Sequence, residues 1–331
     1  MRKSAVLLLL LFAVSASAQS IDARLAASKV PAVGIGIARD GKLREVRVYG
    51  ELQKGSPAPY DAVFNVASLT KPVVTMLTLK LVAAGRWDLD KPLAKFWVDP
   101  DVADDPRAQK LTTRHVLSHQ TGFPNWRDKK LAFQADPGTK FGYSGEGFEY
   151  LRRALEAKFG KTLPELAKQE IFDPLGMRDT RFVWDDSLES RFARWHDKNG
   201  ANVYTKYKTM RANAADNLLT TVEDYGRFGA WILAGAGLPQ ALFEEMVKPQ
   251  AAMGGKGAMT LGWELQPGFS NGEYALIHSG SDEGVKTLII LLPKSKQGLI
   301  VFTNGDNGFD VIGDVVLESL PLGKEIMERA Q

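Results

Sequence analysis

Two β-rich pairs stand at opposite ends of this chain, and a long stretch of helical pattern separates them. Near the start, Ala32 to Ala38 and Lys42 to Tyr49 carry strand composition, with Asp40-Gly41 between them as a hairpin signal. Near the end, Lys286 to Leu292 and Gly298 to Thr303 form a second pair, joined through Pro293-Lys294-Ser295-Lys296-Gln297. The middle reads differently: Thr113 to Ser118, Gly147 to Lys158, Leu163 to Ile171 and Thr221 to Leu233 have helical spacing. Loops rich in Gly, Pro and Asp separate them, as at Asp136-Pro137-Gly138 and Asp173-Pro174-Leu175-Gly176. A short helix over Ile21 to Ser28 and a closing helix over Val311 to Leu320 complete the pattern. The expectation is an α+β fold, with one antiparallel sheet built from both chain ends, flanked by helices, and an inserted, mostly helical lobe. The α/β lobe is expected over residues 19–105 and 250–331, and the helical lobe over 106–249.

Arg2 and Lys3 precede an apolar run from Ala5 to Val14, and Ser15-Ala16-Ser17-Ala18 follows it. A basic start, a short hydrophobic stretch and an A-x-A ending describe a secretory signal peptide over residues 1–18. The run is about ten residues, short of the roughly 20 that cross a bilayer. The expected address is the periplasm or the exterior, with no membrane span elsewhere. Without the leader the 42 basic residues fall to 40, against 39 acidic ones. That balance offers nucleic acid no electrostatic attraction. The chain has no cysteine, which excludes disulfides, a thiol nucleophile and Cys-ligated zinc. His115, His119, His196 and His278 make no metal-ligand spacing, so neither a metal nor another cofactor is expected.

Ser68-Leu69-Thr70-Lys71 opens a helical stretch that runs to Ala84 and stops at Gly85. Residues three apart share a helical face, so the hydroxyl and the amine can meet. A serine at a helix start also lies at the positive end of the macrodipole, where a developing oxyanion is stabilised. Pro72 is tolerated only in the first turn, which puts the loop-to-helix junction near Ser68. The same residues also fit a plain N-cap serine followed by a solvated lysine. Sixteen serines would yield roughly one S-x-x-K by chance, yet this is the only one in the chain.

Tyr143 lies in a glycine-punctuated loop, Gly138-Thr139-Lys140-Phe141-Gly142-Tyr143-Ser144-Gly145, where backbone can approach a ligand closely. Ser144 is rejected as a nucleophile-elbow serine, because Glu146 stands where the last glycine of G-x-S-x-G belongs. His278-Ser279-Gly280-Ser281 follows Ala275-Leu276-Ile277 and reads as a strand end. Its small residues would let a substrate lie along the strand, and its backbone N–H groups could supply half of an oxyanion hole. Gly34-Ile35-Gly36 has Arg39 where a dinucleotide fingerprint needs glycine, and Gly254-Gly255-Lys256-Gly257 lacks the Walker spacing. Neither argues for a nucleotide.

Taken in order, these segments resemble the serine β-lactamase and penicillin-recognising superfamily. The closer resemblance is to the class C β-lactamase-like group, which includes family VIII carboxylesterases and D-aminopeptidases. Phe64-Asn65-Val66-Ala67-Ser68-Leu69-Thr70-Lys71 is similar to the family's nucleophile segment. Thr113 to Gly122 resembles its "LLxHxSG" segment, and Asp173-Pro174-Leu175-Gly176-Met177 its "PLGM" turn. Both are read as architectural, so His115 and His119 receive no catalytic role. By resemblance, Ser68 is the nucleophile and Lys71 its general base or the group that tunes it. Tyr143 relays the proton to the leaving group, and the Ser68 and Ser281 amides form the oxyanion hole. His278 and Gly280 then line the substrate. A lysine can take the serine proton only when neutral, so the site must lower its ordinary pKa of about 10.4.

Two departures bear on substrate. The family's second motif is usually Y-x-N, and here Gly145 replaces the Asn; the third is K-T-G in true β-lactamases, and here it is His278-Ser279-Gly280. An imidazole of ordinary pKa, near 6.5, would charge only as the pH falls toward about 6, and would then attract anionic substrates. The leading expectation is an exported serine hydrolase acting on a small ester, amide or short peptide. A β-lactamase or D-Ala-D-Ala peptidase is the first alternative. A non-catalytic binding or sensor module on the same fold is the second.

Overall fold

The computed structural model describes residues 20–255 and 257–329. The signal peptide expected over 1–18 lies outside them. The strands are β1 (Ala32–Arg39), β2 (Lys42–Gln53), β3 (Ser56–Pro57), β4 (Val63–Asn65), β5 (Leu219–Thr221) and β6 (Ala251–Ala252). They continue with β7 (Ala258–Met259), β8 (Glu264–Gln266), β9 (Ala275–Asp282), β10 (Val285–Leu292) and β11 (Gln297–Thr303). The α-helices are α1 (Ile21–Ser28), α2 (Thr70–Ala83), α3 (Thr113–Leu117), α4 (Gly145–Phe159) and α5 (Leu163–Ala167). After them come α6 (Asp173–Leu175), α7 (Val222–Leu233), α8 (Gln240–Val247), α9 (Gly308–Ser319) and α10 (Gly323–Arg329).

Among the described residues a nine-stranded sheet runs in the order β3-β2-β1-β11-β10-β9-β8-β7-β6. The central pairing of β1 with β11, Val33 opposite Thr303 through Ala38 opposite Gly298, is antiparallel. It joins the two chain ends in one sheet, as the strand pairs predict. Asp40 and Gly41 both take positive φ, 53° and 68°, at the hairpin that the Asp-Gly pair signals.

The alternation along β1 sorts two cores. Val33, Ile35 and Ile37 point into an apolar cluster with Leu25 of α1, Val311 and Val315 of α9, and Ile326 of α10. Gly34 and Gly36 face the other way, toward α7. A Cβ at position 34 would lie 2.4 Å from Val222 Cγ2, and one at position 36 would lie 3.0 Å from Val222 Cγ1. Those glycines therefore serve helix-to-sheet contact. On that side one larger cluster runs without a break from Phe64, Phe302 and Tyr225 to Leu69, Leu77, Phe148 and Leu166.

Helix α7 falls within residues 106–249 yet packs on β1, β2 and β11, while α2 packs against α5 and the turn that follows it. Both contacts join residues expected in different lobes. Three local readings need correction. The Asp173-Pro174 stretch is not a loop: a π-helical turn over Lys168–Phe172 carries α5 into α6, and Gly176 ends it at φ 66°. Proline is accepted there because it stands in the first turn of α6. The last helix is not 311–320; α9 begins at Gly308, and α10 follows it. Finally, residues 275–282 are one strand, so His278 is interior to it rather than at its end.

The glycine face of β1 gives a stability test. Gly34→Ala should cost about 1–3 kcal/mol by overpacking, and pairing it with Val222→Ala should recover much of that. Denaturant unfolding of Gly34→Ala, Val222→Ala and the pair measures it; a neutral Gly34→Ala would contradict the packing described.

Candidate active site

The segment around Ser68 is a bent junction. Strand β4 ends at Asn65, and Ala67 takes a positive φ of 46°, a conformation that L-residues adopt at a cost. A single 3₁₀ turn over Ala67–Leu69 then leads into α2 at Thr70. The strained bend is held from several sides. Asn65 Oδ1 accepts from the Ala67 amide at 2.7 Å, and Thr70 Oγ1 donates to the Ala67 carbonyl at 2.7 Å. The Leu218 amide donates to Thr70 Oγ1 at 3.0 Å, and the Tyr225 hydroxyl to the Leu69 carbonyl at 2.7 Å. Pro72 stands in the first turn of α2, as its chemistry requires.

Lys71 is 1% exposed. Its Nζ lies 2.9 Å from Ser68 Oγ and 2.7 Å from the Ala215 carbonyl oxygen. Burial lowers its pKa to about 7, and Asp216, the next residue after Ala215, pulls weakly the other way. The plain-cap alternative fails here, since this lysine is neither solvated nor ordinary. A neutral amine in hydrogen-bond reach of a serine hydroxyl can accept its proton.

Tyr143 stands over the pair, its ring centroid 4.7 Å from Lys71 Nζ. Burial raises its pKa to about 12; a hydrogen bond with Ser68 offsets this in part. It therefore keeps its proton where Lys71 can lose one. Ser144 is the N-cap of α4: its Oγ accepts from the Gly147 amide at 3.0 Å and donates to the Pro124 carbonyl at 2.8 Å. That employment fits its rejection as a nucleophile.

His278 and Gly280 share the face of β9 that meets this junction, while Ser279 and Ser281 put their side chains on the opposite, exposed face. A Cβ on Gly280 would lie 2.5 Å from the Val66 carbonyl oxygen and 3.2 Å from the Ser68 backbone nitrogen. Only glycine lets the strand come this close. Thr287 of β10 donates to the same Val66 carbonyl at 3.0 Å. Any contribution of Ser281 to an oxyanion is thus left to its backbone N–H.

The expected charging of His278 near pH 6 is overturned. Burial, with repulsion from Lys71, lowers its pKa to about 3. Its Nδ1 lies 2.9 Å from the Ser279 carbonyl, which can only accept, so Nδ1 carries the proton. His278 is a neutral imidazole across the working range.

Residues not expected in the site join it. His119, architectural by its family segment, stacks on the Tyr143 ring at 4.3 Å between centroids while its Nδ1 accepts from the Ser144 amide at 3.0 Å. It is fully buried, which holds its pKa well below the ordinary value. It positions Tyr143. Asp216 is pushed up to about 6 by burial and then by Asp282 at the end of β9. Trp126 packs over Gly145, two residues beyond Tyr143. His115 closes the capping box of α3 with Thr112 and packs against Gly138. No group of acidic and imidazole side chains suited to a metal ion occurs among the described residues.

The family model described as Beta-lactamase matches residues 18–318, and the chain belongs to that family. Its scaffold is the β-lactamase and transpeptidase fold, which esterases, amidases and peptidases that use a serine share. Among curated proteins the chain is similar to the D-alanyl-D-alanine-carboxypeptidase/endopeptidase AmpH of Escherichia coli. The two are 28% identical over 167 residues, 44% of this chain and 43% of that protein. It is also similar to esterase EstB of Burkholderia gladioli, 30% identical over 203 residues, 51% of this chain and 50% of the esterase. The matches thus span about half the length of these relatives. The solved D-amino acid amidase of Ochrobactrum anthropi superposes with a TM-score of 0.74 at 23% identity, covering 90% of this chain and 96% of that one.

The geometry sets the sign of a pH effect. With Lys71 near 7, kcat/KM for a neutral ester should fall below about pH 7 as the amine protonates. A carboxylate beside an amine favours its charged form, so Asp216→Asn should move that acid limb to lower pH. Rates from pH 5 to 10 in both proteins check this; an unmoved limb would mean that Asp216 does not face Lys71.

Proposed function

We propose that the protein is an exported serine hydrolase that cleaves an ester or amide through an acyl-enzyme on Ser68. The observation that carries this reading is the buried Lys71 amine, 2.9 Å from Ser68 Oγ and lowered to about 7. Lys71 takes the hydroxyl proton as Oγ bonds to the substrate carbonyl carbon. Oxygen charge then develops toward the backbone N–H groups of Ser68 and Ser281, the proposed oxyanion hole. Tyr143, still protonated, donates to the departing oxygen or nitrogen and is re-protonated from Lys71. A water then attacks the acyl carbon by the same relay, and Ser68 regains its proton when the acid leaves. His278 and Gly280 line the substrate on the β9 side.

Two features favour neutral esters and amides over β-lactams and D-Ala-D-Ala peptides, both of which carry a carboxylate. The third-motif position offers a neutral His278, lowered to about 3, where a lysine would supply a fixed cation. Position 145 carries no amide side chain. The leader over residues 1–18 supports export.

Ser68→Ala should abolish turnover of short aryl esters while leaving thermal unfolding within a few degrees of the parent. Mass spectrometry of the parent, quenched during turnover of a slow ester, should show one acyl group on Ser68. Undiminished hydrolysis by a folded Ser68→Ala protein, or an acyl group elsewhere, would end the proposal.

A further inference from the structure

Trp126 is 45% exposed, an unusual position for so large an apolar ring, and it is not loosely held. The loop that carries it is clamped to the start of α4 on both sides of the ring. Asn125 Oδ1 accepts from the Gly145 amide at 2.9 Å, and the Asn125 carbonyl accepts from the Glu146 amide at 3.0 Å. On the other flank, Glu146 accepts from the Arg127 amide at 3.1 Å and from Arg127 Nε at 2.9 Å. The indole lies where a side chain at position 145 would stand: a Cβ there would be 2.6 Å from both Cη2 and Cζ2. Gly145 is thus the space that the ring needs.

The ring forms a wall of a cleft of about 720 Å³ that Tyr150, Arg153, Arg211, Asn213 and Asn217 also line. Ser68, Lys71 and Tyr143 do not line this cleft, but short stretches of chain link it to them. Asn213 and Asn217 flank Ala215, whose carbonyl holds Lys71 Nζ at 2.7 Å, and Gly145 follows Tyr143 by two residues. Arg153, Arg211, Asn213 and Asn217 give the same cleft a polar side.

Resting on the acyl-serine reading above, we propose that this cleft is the specificity subsite and that it takes an aromatic ring. The ring packs on the fixed indole of Trp126. The preferred substrates are therefore esters or amides carrying an aryl group in their acyl or leaving half. A pre-positioned aromatic wall costs no ordering on binding, which is why a single ring can discriminate.

The test is a ratio, so that a partly unfolded preparation cancels. One pair of esters shares a leaving group and differs as acetyl against phenylacetyl; a second shares an acetyl group and differs as ethyl against benzyl. The parent should favour the aryl member of at least one pair in kcat/KM. Trp126→Ala should cut that preference by about tenfold, the scale of an aromatic contact. Trp126→Phe should restore most of it, and Gly145→Ala, which pushes the ring from its seat, should lower it in a folded protein. A drop in either pair supports the subsite and names the half that it holds. No aryl preference in either pair, or a preference that Trp126→Ala leaves intact in both, overturns it. Acylation of Ser68 by the acetyl member is read separately, so loss of the subsite and loss of the acyl-serine mechanism give different results.

Discussion

An amine buried between a serine hydroxyl and a backbone carbonyl is the interaction on which the site depends. Lys71 is almost fully buried, and burial outweighs the pull of Asp216 on its charge. Holding a charge there would be expensive, so the group gives up its proton near neutrality. The Ala215 carbonyl at 2.7 Å orients the amine by taking one N–H, which leaves the nitrogen directed at Ser68 Oγ. The neighbouring groups follow the same logic. The burial that lowers Lys71 also raises Tyr143, to about 12, and lowers His278, to about 3. One dry environment separates the protonation states of three titratable side chains.

Keeping that environment dry requires close approaches, and small residues provide them. Gly280 brings β9 onto the Ser68 amide, Gly34 and Gly36 admit α7 to the sheet, and Gly145 admits the Trp126 ring. Helix α7 then supplies Tyr225, whose hydroxyl holds the Leu69 carbonyl, so the helix-sheet contact reaches the nucleophile turn through one hydrogen bond. The strain at Ala67 is borne by this surrounding lattice rather than relieved locally. Helix-to-sheet packing and the geometry of the Ser68 turn are thus coupled.

Much of this was legible in the residues. Hairpin chemistry at Asp40-Gly41, strand composition at both chain ends and the lone Ser68/Lys71 spacing with Pro72 behind it are local signals, and each leads to the element observed. The missing parts are those decided by distant partners. His278-Ser279-Gly280-Ser281 has little strand propensity of its own, and pairing with β10, Ile289 opposite His278 and Thr287 opposite Gly280, makes it a strand interior. The lowered pKa of His278 depends on burial beside Lys71, which no local pattern encodes. Ala215 and Asp216 reach Lys71 from 144 residues or more along the chain, through irregular backbone without periodicity. His119 was visible as part of a family segment, but its stacking on Tyr143 depends on how that loop closes. Trp126 carried no pattern at all.

The most direct test of this account is the protonation state of Lys71 itself, read apart from turnover. Protein labelled with ¹³C and ¹⁵N at lysine, titrated by NMR with Lys71→Arg for assignment, reports the Lys71 Cε and Nζ shifts against pH. The account predicts a midpoint near 7 for this one lysine, as burial dictates. A Lys71 that stays charged to the ordinary lysine range, around 10.4, would contradict the assignment of Lys71 as the base that activates Ser68.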